Sequence, residues 1–272
     1  MTSDSEDPND DVQYHLEVGE DDVADSVLQS GNPERVERST TTGRPRHRAE
    51  HREYRQQRAI YDGTPISVTS TGIGSPSAAI AIEELARVEA QTLIRVGSCG
   101  RNPRRRLATW LSRPARSDRR APLRSTSART IPPCRPRIVS ALVAAAEELG
   151  YDYHLGVTCS TDSFYAGQSR PGFEDFEASG SDERIAALQE AGVLNFEMEA
   201  ATILTLANLY GLRAGAVCTV YANRRYRRVP HRPPAPRSVS VGCQSCGAAR
   251  GCRNLAERSR RRRSTARLLN TR

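Results

Sequence analysis

The sequence of 272 residues predicts an α/β fold, an α/β/α sandwich in which helices flank a mixed central sheet. Three observations predict it. The hydrophobic fraction of 37% is large enough for a globular core. Short runs of β-branched residues alternate with amphipathic stretches along the chain. Between residues 66 and 97, a strand pattern, a glycine turn, a helix pattern and a second strand pattern follow one another, which is the order of a βαβ unit with parallel strands.

The predicted elements begin at residue 26. Residues 26–28 form the first predicted strand, and Gly31 and Pro33 indicate a turn and a helix start after it. Further strands are predicted at 60–62, 66–70, 92–97, 154–159 and 214–220. Further helices are predicted at 78–89, 138–149, 183–191 and 199–210. Ligands of such folds bind at the carboxyl ends of the strands, so we expect the functional residues there.

The charged residues are unevenly distributed. All 40 basic residues are Arg, against 32 acidic residues, which gives a net charge of +8. Residues 101–137 hold twelve Arg and one acid, and residues 225–272 hold fourteen Arg and one acid. The sequence therefore divides into an acidic flexible N-terminus at 1–25, a domain at 26–224 that the stretch 101–137 interrupts, and an Arg-rich disordered tail at 225–272.

The two Arg-rich stretches allow two interpretations. Arg-rich segments are typical of arms that bind nucleic acid. However, the two stretches contain only two aromatic side chains that could stack on bases, Trp110 and Tyr226, and this disfavours nucleic-acid binding. The second interpretation is translation out of frame, because Arg, Pro, Ser, Gly and Ala dominate shifted frames of GC-rich DNA. Both stretches begin abruptly, after Gly100 and after Arg224, which favours this second interpretation.

Membrane and secreted classes are disfavoured. No apolar run reaches the roughly 18 residues of a membrane-spanning helix, and the acidic start does not resemble a signal peptide. The seven cysteines are odd in number and scattered, so we expect a reducing cytoplasm and no disulfide framework. Cys243, Cys246 and Cys252 have a spacing that can hold zinc, but they lie in the Arg-rich tail, which disfavours a metal site.

Two constellations of residues could bind an oxyanion. Gly31 exposes backbone N–H groups at a helix start and Arg35 adds a forked cation, although an ordinary turn would have the same sequence. Arg95 lies in an apolar strand and needs an anionic partner, because burying an unpaired charge is expensive. Two roles are equally compatible with Arg95. It could bind phosphate together with Ser98, or it could form a structural salt bridge.

Two further constellations could bind a base and a sugar. Gln168 and Arg170 lie two residues apart in a loop that begins near Phe164, so they project the same way and can read a ring edge, unless the loop is simply solvated. Glu197 and Glu199 flank Met198 at a helix start. They are either partners of the helix dipole or acceptors for the hydroxyls of a sugar.

These motifs together resemble the nucleoside phosphorylase family, and most closely its uridine-cleaving members. The segments 51–54, 70–77 and 220–224 extend the resemblance, which covers roughly residues 12–38, 49–100 and 138–224. It implies phosphorolysis of uridine to uracil and ribose 1-phosphate, with inorganic phosphate as co-substrate and no cofactor. It also implies a homo-oligomer of dimers assembled as a hexamer. Purine-cleaving members of the same fold are the alternative, and the Gln-x-Arg loop favours uracil.

The resemblance also implies a role for individual residues, with Arg95, Arg170 and Glu199 as the catalytic ones. The implied phosphate-binding residues are Gly31, Arg35, Arg52, Arg95 and Ser98, with Arg52 supplied by a neighbouring subunit. The implied base-binding residues are Phe164, Gln168, Arg170 and Arg224. The implied ribose-binding residues are His15, Glu197, Met198 and Glu199, with His15 crossing the dimer interface. A monovalent cation is implied at Glu53, Ile73 and Ser77.

The Arg-rich stretches depart from the family pattern. The family continues after the position of Gly100 with further strands and ends with a helix that packs on the sheet. The fold is therefore predicted to be damaged in 101–137 and 225–272, with strands missing from the sheet and the last helix absent. Each lost large apolar side chain costs about 1.5 to 3 kcal/mol against a total stability of about 5 to 15 kcal/mol, so the exact chain is predicted to fold poorly or to be inactive.

Overall fold

The computed structural model describes residues 12–39, 47–101, 109–114 and 135–223. The strands in these ranges form one mixed sheet of nine strands. They are β1 (Ser26–Ser30), β2 (His47–His51), β3 (Tyr54–Tyr61), β4 (Thr64–Ser70), β5 (Thr92–Arg101), β6 (Thr109–Pro114), β7 (Tyr153–Ser160), β8 (Val193–Glu197) and β9 (Arg213–Asn223). The α-helices are α1 (Glu34–Ser39), α2 (Ser75–Arg87), α3 (Pro136–Glu148), α4 (Ser181–Glu190) and α5 (Ala200–Leu209). The predicted class, a mixed sheet flanked by helices, is confirmed.

The strand order in the sheet is β2-β3-β4-β1-β5-β8-β7-β6-β9. Strands β4, β1, β5 and β9 run parallel through successive pairings, whereas the hairpins β2–β3 and β3–β4 are antiparallel. Because β9 pairs with β5 as well as with β6, the strands β5, β8, β7, β6 and β9 close on one another. The predicted βαβ unit is β4–α2–β5, and β1 lies between its two strands.

Helices pack on both faces of the sheet. On one face, α2 and α5 bury apolar residues with Val27 and Leu93. On the other face, α3 packs on Leu28 and Ile94. Successive residues of β1 and β5 therefore point into opposite cores, as the alternation of a strand requires. Within the described ranges, no helix is both long and apolar enough to cross a bilayer.

The sheet contains three strands, β2, β6 and β8, that the sequence did not predict. Residues 109–114 pair in parallel with β7 and antiparallel with β9, so this part of the Arg-rich stretch belongs to the sheet. The prediction that the stretch 101–137 leaves the sheet without strands is therefore wrong for 109–114, because strand pairing uses backbone groups that any sequence supplies. The strands β2 and β8 were not predicted, because each has only 5 residues and so carries a weak strand signal. The tail 225–272 lies outside the described residues.

Candidate active site

A cavity of about 730 Å³ lies at the carboxyl ends of β1, β5 and β8. Its wall combines the turn after β1, the turn after β4, the second half of β5, the loop after β7 and the start of α5. The lining residues are Gly31, Asn32, Pro33, Arg35, Glu53, Gly72, Ile73, Arg95, Ser98, Cys99, Gly100, Phe164, Gln168, Arg170, Phe196, Glu197, Met198 and Glu199. The four predicted constellations thus meet in a single cavity, at the end of the sheet where ligands were expected.

The first cationic group of the cavity is Arg35. It lies in the first turn of α1, and its Nη2 donates to Ser98 Oγ on β5 at 3.3 Å. Gly31 lies beside it, where an added Cβ would meet the carbonyl oxygen of Gly72 at 3.0 Å. Two turns therefore approach each other closely at Gly31, which leaves backbone rather than side chain facing the cavity.

The second cationic group is Arg95, which is buried on β5 between two carboxylates. Its Nε donates to Glu197 Oε2 at 3.0 Å, and its Nη2 donates to Glu199 Oε2. Burial opposes the positive charge, but Glu199 and Glu197 outweigh that effect and raise the pKa of Arg95. Its Nη1 is buried and has no hydrogen-bond partner in the part of the chain that the structure describes. Arg95 thus stays positively charged, and its Nη1 can donate to a ligand.

Glu199 immediately precedes α5 and lies 3% exposed in the cavity wall. Its Oε1 accepts from the backbone N–H of Gly74 at 2.7 Å. Burial raises the pKa of Glu199, the charge of Arg95 opposes this, and the charge of Glu197 adds to it, with a net rise. Gly74 has φ +95°, a conformation that favours glycine, and it directs its N–H at Glu199 from the start of α2.

The loop after β7 holds the predicted base-reading residues. Arg170 Nε donates to Gln168 Oε1 at 3.4 Å, and the guanidinium carbon lies 4.5 Å from the centre of the Phe164 ring. The structure thus brings Gln168 and Arg170 together, as their spacing predicts. Burial lowers the pKa of Arg170. An added Cβ at Gly100 would lie 2.8 Å from Arg170 Nη2, so this loop rests directly on β5.

Comparison with known proteins identifies the family. Residues 26–231 match the model of the Phosphorylase superfamily. The chain belongs to this superfamily. It is 49% identical over 220 residues to a uridine phosphorylase of Thermococcus kodakarensis, which covers 78% of each chain. It is 36% identical over 233 residues to a uridine phosphorylase of Escherichia coli K12, covering 80% of this chain and 88% of the other. A guanosine phosphorylase of Halorubrum lacusprofundi is 37% identical over 218 residues, covering 78% and 83%.

Among the described residues, two of the predicted phosphate- and ribose-binding residues of this phosphorylase do not line the cavity. His15 lies elsewhere, with its Nδ1 2.6 Å from Glu84 Oε1 on α2 and its backbone N–H donating to the same carboxylate at 3.1 Å. Arg52 is exposed in the turn between β2 and β3, with φ +55°. Arg224 lies outside the described residues. His15 and Arg52 therefore stay out of the cavity of their own chain, although both lie close enough to Glu53 for their charges to lower its pKa.

Two of the three predicted cation residues of the phosphorylase line the cavity. Glu53 and Ile73 line the cavity, and Ser77 Oγ donates to Glu53 Oε1 at 2.9 Å. Hydrogen bonds to its own backbone and to Ser77 lower the pKa of Glu53. Among the described residues, no group of three or more His, Cys, Asp or Glu side chains could hold a metal ion. The CxxC of Cys243 and Cys246 lies outside those residues.

The sequence did not predict several residues of the site, among them four with a clear role or contact. Gly74 and Ser160 donate to the two carboxylates, while Cys99 and Gly100 line the cavity. Burial raises the pKa of the Cys99 thiol, as does its hydrogen bond with Cys218. Ser160 ends β7, and a polar residue at the carboxyl end of a predicted strand is the signal that could have found it.

Proposed function

We propose that this phosphorylase catalyses the phosphorolysis of uridine, in which uridine and inorganic phosphate give uracil and ribose 1-phosphate. One observation carries the proposal: a single cavity holds Arg35, Arg95 and Ser98 together with the pair Gln168 and Arg170, and Glu199 lies in the same wall. Such a cavity can hold an anion, a sugar and a planar base at once. The relatives named uridine phosphorylase, one at 49% identity, support the same substrate.

Phosphate is proposed to bind at the cationic end. Arg35 and Arg95 supply forked donors, Ser98 supplies a hydroxyl, and Gly31 supplies backbone near the start of α1. The buried Nη1 of Arg95 gains a partner when an anion binds, which removes the cost of an unsatisfied donor. An oxygen of the bound phosphate is then held for attack on C1′ of the nucleoside.

Ribose is proposed to bind between phosphate and base. Glu199 accepts the hydrogen of a ribose hydroxyl, and Met198, whose carbonyl oxygen accepts from Ser75 Oγ at 3.2 Å, packs on the sugar. A carboxylate is the suitable group, because it offers acceptors only and the bound hydroxyl offers a donor. Its negative charge also faces the positive charge that develops on the ribose as the glycosidic bond breaks.

The base is proposed to bind in the loop after β7. Gln168 presents a donor and an acceptor to the ring edge, Arg170 donates to a ring oxygen, and Phe164 contributes an aromatic face. As the bond from C1′ to the base breaks, its electron pair moves to the uracil. The guanidinium stabilises this anion, which afterwards takes a proton from water, so the leaving group needs no general acid.

A purine nucleoside is the second candidate substrate. The relative named guanosine phosphorylase, at 37% identity, is the observation that favours it. The pair Gln168 and Arg170 favours uracil, since a base with the wrong donors would leave buried polar atoms unpaired at about 1 to 3 kcal/mol each.

Nucleic-acid binding through the Arg-rich stretches is a third candidate, and the residues concerned lie almost entirely outside the described ranges.

We propose a homo-oligomer in which neighbouring chains complete one another's sites. His15 and Arg52 lie outside the cavity of their own chain, which supports their assignment to a neighbour's ribose and phosphate. The oxygens of Glu53 and Ser77 lie 2.9 Å apart, and oxygen ligands suit a monovalent cation that positions two chains against each other.

A cytoplasmic location agrees with Cys99, Cys159 and Cys218, which form no disulfide within the described residues.

The test is an assay of uracil released from uridine. We expect release that requires inorganic phosphate and produces an equal amount of ribose 1-phosphate, with guanosine and inosine cleaved more slowly. Faster cleavage of guanosine would move the assignment to the purine alternative. A folded chain that cleaves none of the three nucleosides would overturn the proposed activity and would support the prediction that the Arg-rich stretches impair this exact chain.

A further inference from the structure

We propose that Ser160 is a positioning residue, which orients Glu197 and through it the phosphate-binding Arg95. The inference rests on the proposed function and deepens it, because it separates the two carboxylates of the site by role. In the described part of the chain, Ser160 and Glu197 are register partners at the carboxyl ends of the parallel strands β7 and β8. Ser160 is 1% exposed and does not line the cavity, so it cannot contact a substrate directly.

The direction of the hydrogen bonds at Ser160 is fixed by chemistry. The backbone N–H of Ala201 in α5 can only donate, and it donates to Ser160 Oγ at 3.1 Å. The single hydrogen of the hydroxyl is therefore available for Glu197, and Ser160 Oγ donates it to Glu197 Oε1. Because the site is buried, the hydroxyl and the carboxylate are held in one arrangement rather than exchanging partners with water.

The protein supplies four hydrogen-bond donors to the Glu197 carboxylate. Its Oε1 accepts from Ser160, while its Oε2 accepts from Arg95 Nε at 3.0 Å and from the backbone N–H groups of Glu199 at 2.8 Å and Ala200 at 2.7 Å. A carboxylate has about four lone-pair positions, two on each oxygen, so these donors use both positions of Oε2 and one of the two on Oε1. Because the Glu197 side chain is also fully buried, its carboxylate is held by the protein rather than by ribose hydroxyls, in contrast to the role that the resemblance implies for it.

The consequence for Arg95 follows from the geometry. The bond from Nε to Glu197 and the bond from Nη2 to Glu199 fix the plane of the guanidinium, and the unpartnered Nη1 remains for phosphate. Glu199 accepts from Arg95 and from the backbone N–H groups of Gly74 and Met198, and it is left as the acceptor for the sugar. Ser160 also stands one residue before the base-reading loop, where the backbone N–H of Thr161 donates to the carbonyl oxygen of Glu197 at 2.9 Å.

The test compares Ser160→Ala with the wild type and with Ser26→Ala. Ser26 is a matched control, because it is equally buried, its hydroxyl has no hydrogen-bond partner among the described residues, and it lies at the end of β1 that is remote from the cavity. We expect Ser160→Ala to lower kcat/KM for phosphate about 10- to 100-fold, with a much smaller change in KM for uridine. We expect Ser26→Ala to leave kcat/KM for phosphate and KM for uridine unchanged. Ser160→Thr keeps the hydroxyl, so we expect it to retain most of the activity.

A double-mutant cycle separates positioning from a merely structural role. If Ser160 acts through Glu197, adding Ser160→Ala to Glu197→Gln changes kcat/KM by less than about twofold. Effects that multiply in the double variant, or a Ser160→Ala enzyme with wild-type phosphate KM, would overturn the inference. Should Ser160→Ala fail to fold, Ser160→Cys keeps the volume with a weak donor and carries the same expectations.

The crystal structure of Ser160→Ala tests the positioning independently of activity. We expect the Glu197 carboxylate and the Arg95 guanidinium to leave their wild-type orientation. An unchanged pair would refute the role of Ser160 whether or not the wild type cleaves uridine. A wild-type enzyme without activity towards uridine, combined with a displaced pair in the variant, would refute the proposed function alone.

Discussion

Arg35, at the start of α1, reaches across the cavity mouth to Ser98 on β5, with 3.3 Å between Arg35 Nη2 and Ser98 Oγ. The contact ties the turn after β1 to the strand that carries Arg95. It also places a cation and a hydroxyl beside the backbone of Gly31, so the three groups can surround one oxyanion.

Replacing Arg35 with Ala is expected to raise KM for phosphate about 10- to 100-fold, because a charge-assisted hydrogen bond is lost, while KM for uridine changes little. Initial rates at varied phosphate and fixed uridine concentrations give KM for phosphate, and rates at varied uridine give KM for uridine. Arg137→Ala, which removes an exposed Arg of α3, is the control and should leave both constants unchanged. Equal effects of Arg35→Ala on the two substrates would contradict a specific role in phosphate binding.

Gly100→Ala tests the close approach between β5 and the base-reading loop. The new Cβ would lie 2.8 Å from Arg170 Nη2, the end of a flexible side chain, so Arg170 is expected to move while the fold stays intact. We expect kcat/KM for uridine to fall about tenfold and stability to change by less than about 1 kcal/mol. Steady-state kinetics and thermal unfolding measure the two quantities, and an unchanged phosphate KM serves as the internal control.

Glu199 gives the reaction a dependence on pH. Burial raises the pKa of Glu199, so the folded protein binds a proton there at a pH where the unfolded chain, with an ordinary value near 4.5, has released it. Ionised Glu199 therefore lowers stability as pH rises through its raised pKa. Activity needs the ionised form to accept ribose hydroxyls, so kcat/KM is expected to fall on the acid side of a midpoint above 4.5. Glu199→Gln should remove this acid limb along with most of the rate, and a profile with its midpoint at the ordinary value would contradict the burial argument.

The sequence predicted much of the fold and of the site for identifiable reasons. Arg95 was predicted as a site residue because a cation in an apolar strand requires an anionic partner. Gln168 and Arg170 were predicted as a pair because side chains two residues apart in an extended loop point in the same direction. Ser160 escaped notice because its partner Glu197 is 37 residues away, and only the register of β7 and β8 pairs them. The strand β6 escaped notice because its Arg-rich surroundings resemble no strand, although its backbone can pair like any other.

Glu84 is expected to anchor the segment that carries His15. This carboxylate is 4% exposed and accepts from the backbone N–H groups of His15 and Leu16 as well as from the His15 ring. Glu84→Ala leaves these donors unsatisfied and should cost about 3 kcal/mol of unfolding free energy. Hydrogen exchange should show the His15 and Leu16 amides losing protection first. Glu83→Ala, on the neighbouring position of α2, is the control and should cost less than about 1 kcal/mol.

Removal of residues 232–272 distinguishes the two interpretations of the Arg-rich tail. These residues lie beyond the match to the superfamily, which ends at 231, and hold eleven Arg against the single acid Glu257. If they are out-of-frame sequence, the shortened chain should cleave uridine at least as fast as the full chain. If they form a nucleic-acid-binding arm, the full chain should shift the mobility of duplex DNA, with an affinity that falls steeply between about 50 and 200 mM salt, and the shortened chain should not. We expect no such shift for either chain, and a salt-sensitive shift that disappears with the tail would establish the binding function instead.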